Sequence, residues 1–385
     1  MTLWTTLDRY QVDPVTGFVP PVPLPRRLPA TYAAWDALVP DLSALIRSRR
    51  LRDALRDLPE LDIQGLVSDG DRERALLLLT HFANAWVWGG DQADLRLPRS
   101  IAVPLCALAA KMGRPPIAHY ATTTLHNWQL VDPSQPLSVD NARTVIQFLG
   151  GVDEDWFFIA SMGVELSGAP LIPVMVDAVQ ASRDGDDERL TQRLTTFRDG
   201  MGDVHRAMEH VRTWCHPATY YLRARPFVAG WPKPGVIYEG VSEEPQRHIG
   251  GSAGQSSLFQ LFDVVLGVQH ADHPAGAYLR AVREYMPRPH RALVEDMERE
   301  TQVRARALDG SGPLRDAYNG AVAEIAAFRE AHMKLAHDYV VMPSGAGRDA
   351  VGTGGTSLDS FLRAAHRATS DAQAMATPER LPDAS

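Results

Sequence analysis

The sequence predicts an all-α fold, and three observations carry that prediction. Apolar residues recur at steps of three and four along most of the chain. Stretches with the two-residue alternation of a strand are few. One run, residues 314–339, holds a helical period for about seven turns. At 385 residues the chain has length for one large domain or two of ordinary size. The prolines between Trp128 and Pro136 and a change of pattern near residue 145 divide it. A smaller N-terminal domain, 1–145, a larger helical domain, 146–370, and a loose tail, 371–385, are expected.

The first thirty residues are proline-rich (VPPVPLPRRLP) and read as an extended arm laid over the surface. Helices are expected over 32–48 and 51–58. Residues 72–88, RERALLLLTHFANAWVW, are apolar all round and should form a buried helix. LPRSIAVPLCALAAKMG reads as a helix begun through prolines, with Pro104 near its first turn. PPIAHYATTTLHNWQLVDPSQP is a helix or an extended piece that ends in a loop. DEDWFFIASMGVELSG opens a helix with acids at the positive end of its dipole. Pro170 interrupts the pattern, and a helix resumes over 174–182. DGDDERL begins an amphipathic helix to about Trp214.

Residues 217–257 are rich in Gly and Pro and read as ordered loop with short extended pieces. A loop of that length inside a domain is usually functional. Residues 258–269 and 274–284 are helical again, as is the stretch MPRPHRALVEDMERETQVRAR. After the 314–339 helix come a glycine-rich loop, SGAGRDAVGTGGTS, and a last helix, SLDSFLRAAHRA. There is no internal repeat.

Composition narrows the function classes. A net charge of -8 gives no footprint for nucleic acid. No uninterrupted apolar run is long enough to cross a bilayer, and MTLWTTLDRYQVDP has no apolar h-region of a secretory signal. Cys106 and Cys215, far apart, form neither a zinc pattern nor a disulfide framework and fit a reducing compartment. The expectation is a cytoplasmic protein with no nucleic-acid and no membrane partner.

The chemistry-bearing candidates begin with His332. It lies on the seam Leu314, Tyr318, Ala321, Ile325, Phe328, His332, Leu335, Tyr339 of the long helix. A buried imidazole needs a hydrogen-bond partner or a metal, so a core histidine and an axial metal ligand are the two readings. His337, about 140° further round, should face elsewhere. Phe157 and Ser161 are four apart and share a face, which suits a flat apolar ligand with one polar atom, or ordinary packing. Arg225, among Tyr220, Tyr221, Pro226 and Phe227, could present its fork to a carboxylate, form a salt bridge, or lie along the surface.

GGSAGQSSLFQLFD and GTGGTSLDSFL each run from glycines into a helix, and read as helix starts capped by Ser or Thr. Neither fits a P-loop or a dinucleotide fingerprint. GGSAG matches G-x-S-x-G with Ser252 as nucleophile, but the polar EEPQRHI before it is no buried strand, so a hydrolase elbow is not expected. His81, His126, His270 and His273 show no ligand spacing and read as structural or solvent-facing.

Together these segments resemble the indoleamine 2,3-dioxygenases, heme enzymes that open the indole ring of tryptophan. The resemblance covers about residues 20–366. It rests on YEG followed by GGSAGQSSLFQLFD, then YMPRPHR, then GTGGTSLDSFL, supported by LPRSIAVPLCAL, NWQLVDPSQPLS and WFFIASMGVE. It implies that His332, in FREAHMKLAHDYV, is the proximal ligand of a ferrous heme b. Arg329 would pair with a heme propionate, and Asp263 would be an acidic group on that side. Ser161 would be the small distal residue, where tryptophan 2,3-dioxygenases carry a histidine. Phe157 would pack on the indole and Arg225 would hold the substrate carboxylate. Gly251, Ser252 and Ala253 would form a distal loop near heme and substrate. Gly352, Thr353, Gly354, Gly355 and Thr356 would form a mobile loop over the site. Tyr120, Thr123 and Thr124 would build the pocket behind the indole, under cover of the N-terminal domain.

Two departures bear on substrate. Tyr220 stands where a phenylalanine is common, and Thr123 and Thr124 replace the Cys and Val of mammalian forms. The implied reaction inserts both atoms of O2 across the indole C2–C3 bond of L-tryptophan, giving N-formylkynurenine, with an electron donor keeping the iron ferrous. The alternatives are a biosynthetic heme enzyme that oxygenates a modified tryptophan or other indole, by one oxygen or two, and a non-catalytic oxygen-binding heme protein.

Overall fold

A computed structural model describes residues 7–270, 274–310, 312–347, 350–355 and 357–373. Helix accounts for 63% of the structure and strand for 4%, so the all-α expectation holds. Among the described residues ten helices run for nine residues or more. They are α1 (Asp69–Trp88), α2 (Arg99–Met112), α3 (Val152–Gly168), α4 (Leu171–Asp184) and α5 (Asp187–Glu209). Then follow α6 (Ser257–Val265), α7 (Pro274–Val282), α8 (Arg288–Glu300), α9 (Gly312–Ala336) and α10 (Leu358–Ser370). The strands are two-residue pieces: β1 (Arg96–Leu97) pairs in parallel with β4 (Ile237–Tyr238), and β2 (Gln129–Leu130) pairs antiparallel with β3 (Ala142–Arg143).

α1 is buried on every face from Arg74 to Val87, as its composition requires. Ser68 caps it by accepting from Asp71 N at 3.0 Å, and Asp69 and Asp71 sit in its first turn. Thr80 and His81 bond Leu77 O of the same helix, whereas Arg74 and Asn84 find distant partners. Arg74 Nε donates to Asp36 at 2.9 Å. Asn84 bonds both Phe227 O, at 2.7 Å, and Ala118 N, at 3.0 Å. These bonds fix α1 against the segments that carry the cavity described below.

α3 starts at Gly151, whose φ of 109° lets the chain turn sharply. Glu154 then accepts from the backbone of Leu149 at 3.0 Å and Gly150 at 2.8 Å, which locks the angle at which α3 begins. α5 packs against α3, α4 and α9, and α9 also carries α10. This bundle holds one large apolar cluster, with Phe197, Phe262, Tyr318 and Ile325 at its centre. A second cluster surrounds α1 and α2 and draws in Phe227, Tyr238 and Tyr285 from later in the chain. The stretch Val152–Asp184 reaches a mean hydropathy of 1.5, enough by length and composition alone to cross a bilayer, though no single run is unbroken. The 18-residue window that reaches this value is 67% buried inside the fold, within the core pair α3 and α4.

The structure corrects several expectations. The helix expected over 32–48 is two, Ala33–Leu38 and Leu42–Arg47, because Pro40 removes a backbone donor between them. α2 begins right after Pro98, so Pro104 lies inside its second turn. The helix expected to reach Trp214 pauses at His210 and resumes over Val211–Trp214. The 217–257 loop opens with a dozen helical residues, Pro217–Thr219, Tyr220–Ala224 and Arg225–Val228, before turning extended at β4. The N-terminal arm is anchored rather than laid over the surface: Val12 and Phe18 are buried in the bundle's apolar cluster. The tail beyond residue 373, and His273, lie outside the described residues.

Candidate active site

The site is a cavity of two adjoining lobes, of about 190 and 200 Å³, whose shared walls include His332, Phe157, Ser161, Tyr120 and Ala253. Helices supply its rigid sides. α3 presents Phe157 and Ser161 four residues apart on one face, and α9 presents Arg329 and His332. Three turns of π-helical geometry supply much of the rest. Ala121–Leu125 brings Thr123 and Thr124, Tyr220–Ala224 brings Tyr220, and His337–Val341 brings Tyr339 and Val340. Such widened turns recur at functional sites because they re-aim side chains out of the helical repeat.

The first lobe gathers Arg225, Thr123, Thr124, Tyr220, Gly251, Ser252, Thr353 and Gly354. Tyr220 stacks on Phe157, centroids 4.0 Å apart, and holds that ring in place. Arg225 donates to Val351 O and lies over the Tyr221 ring at 5.2 Å. Among the described residues no carboxylate pairs with it. The salt-bridge reading of Arg225 finds no partner; the half-buried side chain lines the first lobe and makes an exposed bond to Val351. Thr353 Oγ1 donates to Gly251 O at 2.6 Å, and Gly230 N to Thr353 O at 3.1 Å, so the two glycine-rich loops are tied together. Gly355 is described but not on the cavity wall, and Thr356 lies outside the described residues.

The second lobe contains Arg329 and Asp263. Arg329 Nη2 donates to Asp263 at 2.5 Å, and His270 stands 3.2 Å from the same carboxylate. Burial pushes the Asp263 carboxyl up, but Arg329 and His270 outweigh it and bring it down to about 2. The His332 ring makes a contact with Phe328, centroids 6.5 Å apart, and no hydrogen bond among the described residues. Burial, then Arg329, lowers it to about 4, so the imidazole is neutral and has a lone pair to give. The reading of a core histidine bonded to a neighbour loses its partner here. His337, as expected, is exposed.

Ser161 Oγ donates to Phe157 O at 2.7 Å, which commits the hydroxyl proton to its own helix. Thr123 is similarly committed to His119 O at 3.2 Å, whereas Thr124 makes no side-chain hydrogen bond among the described residues. Ser252 bonds Tyr278 at 2.9 Å and has neither a histidine partner nor a strand before it, so the elbow reading fails as expected. Ser256 caps α6, but Ser357 at the start of α10 makes no capping bond. Among the described residues no three His, Cys, Asp or Glu side chains converge to hold a metal. A lone neutral imidazole in a two-lobed cavity is the donor set for a metal that brings its own planar ring, while Arg329 beside it is engaged by Asp263 and Thr369.

Four contributors escaped the sequence reading. Glu165, one turn beyond Ser161, accepts from Tyr120 OH at 2.9 Å and Ser256 Oγ at 2.6 Å behind the cavity wall. Its carboxyl is pushed up to about 7 by burial, against both hydrogen bonds. Gln255 fixes Tyr120 N at 2.8 Å, and His270 completes the Asp263 pair. Tyr278 closes the first lobe, and a Cβ on Gly354 would meet its hydroxyl at 2.1 Å, so glycine alone fits there. The four-residue step from Phe157 to Ser161 to Glu165 was a usable signal. The others are contacts between segments distant in sequence.

Comparison with known proteins agrees with the geometry. The sequence model of the family described as Indoleamine 2,3-dioxygenase matches residues 6–372. The chain is 33% identical to indoleamine 2,3-dioxygenase 1 of Rattus norvegicus, covering 95% of each chain. It is 34% identical to indoleamine 2,3-dioxygenase nanC of Aspergillus nanangensis, over 93% of this chain and 94% of that one. It is 31% identical to 6-hydroxytryptophan 2,3-dioxygenase fscD of Fusarium equiseti, over 89% and 87%.

Proposed function

This chain belongs to the indoleamine 2,3-dioxygenase family, and we propose that it is a heme dioxygenase that opens the indole ring of L-tryptophan to N-formylkynurenine. The observation that carries this reading is the placing of Arg225, Phe157 and the unpaired His332 on the walls of one lobe. Heme held by His332 supplies the activation of O2. Arg225 holds the substrate carboxylate by charge-assisted hydrogen bonds. Phe157, backed by Tyr220, takes the face of the indole. The Gly251–Thr353 bond ties together the two glycine-rich loops that wall the lobe.

The lobe offers no base for the indole N–H. Among its described wall residues His332 is the one histidine and there is no carboxylate, while the Ser161 proton is committed to Phe157 O. Proton removal by a side chain is therefore not part of the proposed reaction. An electron donor keeps the iron ferrous between turnovers.

A second reading is a hydroxylated tryptophan as substrate. It is favoured by the free hydroxyl of Thr124 in the lobe and by the likeness to a 6-hydroxytryptophan dioxygenase. Product mass from ferrous protein, air and either amino acid tests both. A gain of two oxygens on L-tryptophan supports the first reading, and turnover of 6-hydroxytryptophan alone supports the second. A gain of one oxygen overturns the dioxygenase step. His332→Ala should abolish stable heme binding; an unaltered Soret band in that variant removes His332 as the ligand.

A further inference from the structure

A second group of buried polar side chains, outside the cavity above, has donors with nothing to donate to. Glu73 on α1, Arg114 just past α2, His126 after the Ala121–Leu125 turn and His290 on α8 converge under the N-terminal arm. Arg114 is 4% exposed, His126 7% and His290 3%. Arg114 Nη2 donates to Glu73 Oε1 at 2.6 Å. His126 Nε2 stands 3.7 Å from Glu73 Oε2, beyond hydrogen-bond reach. This leaves Arg114 Nε and Nη1, both ring nitrogens of His126 and Nδ1 of His290 without hydrogen bonds. All three side chains line a cavity of about 870 Å³, whose wall also includes Phe18, packed on the His290 ring, and Pro23 of the arm.

Orphaned donors at this depth cost free energy unless something fills them. Arg114 Nε and Nη1 and one ring nitrogen of His126 are spare donors, while Glu73 Oε2, the other His126 nitrogen and His290 Nδ1 can only accept. The cluster's one carboxylate already neutralises its arginine, so an incoming acceptor meets no excess negative charge. A metal is a poor match, because the group includes a guanidinium and Glu73, His126 and His290 are not grouped closely enough to hold one ion.

We propose that this cavity is a second binding site, for a small oxyanion: a carboxylate or phosphate head anchored by Arg114 and by one ring N–H of His126. The apolar wall of Phe18 and proline suits a head carried on a small apolar body. The site stands one turn behind the first lobe, since His126 ends the turn that carries Thr123 and Thr124. It does not depend on the dioxygenase reading.

The test is calorimetric titration of the heme-loaded protein with sodium phosphate and with sodium benzoate at constant ionic strength. It is run in an Arg225→Gln background, so that the arginine of the first cavity does not contribute. Saturable binding of one equivalent is expected, weakened about tenfold or more by Arg114→Gln and by His126→Leu. Arg114→Gln strips Glu73 of its partner and risks unfolding. His126→Leu breaks no hydrogen bond and is the deciding variant. Tighter benzoate assigns a carboxylic acid, and tighter phosphate assigns a phosphate. Absence of saturable binding by both probes, or binding unchanged in His126→Leu, overturns the site and leaves these donors to water.

Discussion

Glu165→Gln should make the protein more stable, and only at neutral and alkaline pH. Burial raises the carboxyl from its ordinary 4.5 to about 7, although Ser256 and Tyr120 both donate to it. One carboxylate oxygen, Oε2, is buried with no partner, as suits a protonated acid. Between pH 4.5 and 7 the folded chain therefore keeps a proton that the unfolded chain releases. The folded state binds more protons across that window, so stability falls as pH rises through it and is level above it. At 1.36 kcal/mol per pH unit the deficit at pH 8 is about 3 kcal/mol, and at pH 5 it is below about 1 kcal/mol. Glutamine keeps an acceptor for Tyr120 and Ser256 and does not titrate. Glu154, also raised to about 7 by burial, titrates in both proteins and cancels from their difference. The assay is urea unfolding of wild type and variant at pH 5 and pH 8, with heme at one fixed concentration. The gain from the substitution should be about 2.5 kcal/mol larger at pH 8. An equal difference at the two pH values would refute the reasoning, because it would mean that Glu165 does not titrate between them.

Other substitutions test the site and its scaffold. Arg225→Met should raise the tryptophan KM about 10- to 100-fold with the Soret band intact, since it removes charge-assisted bonds worth about 1.5–3 kcal/mol; unchanged kinetics would take Arg225 out of the site. Ser161→Ala should change kcat/KM by less than about threefold, because the hydroxyl is bonded within its own helix. A loss of about a hundredfold there would make Ser161 a participant in the reaction. Gly168→Ala would place a Cβ 2.3 Å from Leu258 Cδ2, where α3 crosses α6. It should cost about 1–3 kcal/mol, read as a lower urea midpoint with an unchanged m-value.

The long helices were legible because burial of one face imposes a local repeat. Residues on α9 from Leu314 to Phe328 are buried where the sequence placed the seam. The arms and turns were not. Pro217–Thr219, Tyr220–Ala224 and Arg225–Val228 form three different kinds of helical turn in twelve residues, and no single period describes them. Phe18 reads as part of a solvated proline arm until α8 is folded against it, its ring 4.8 Å from that of His290.

For the site, the residue types were in the sequence and their environment was not. The helix class, the seam with His332 and the Phe157–Ser161 face follow from patterns within some thirty residues, and the family likeness from the order of such blocks along the chain. Partnership does not. His332 could have bonded a neighbour, and Arg225 could have met a carboxylate; which occurred depended on segments more than a hundred residues away, as with Arg225 and Val351. The raised carboxyl of Glu165 and the unpartnered polar atoms of Arg114, His126 and His290 have the same origin. Local periodicity is set by each segment's own burial, whereas hydrogen-bond satisfaction and desolvation exist only once distant segments have closed around a group and removed its water.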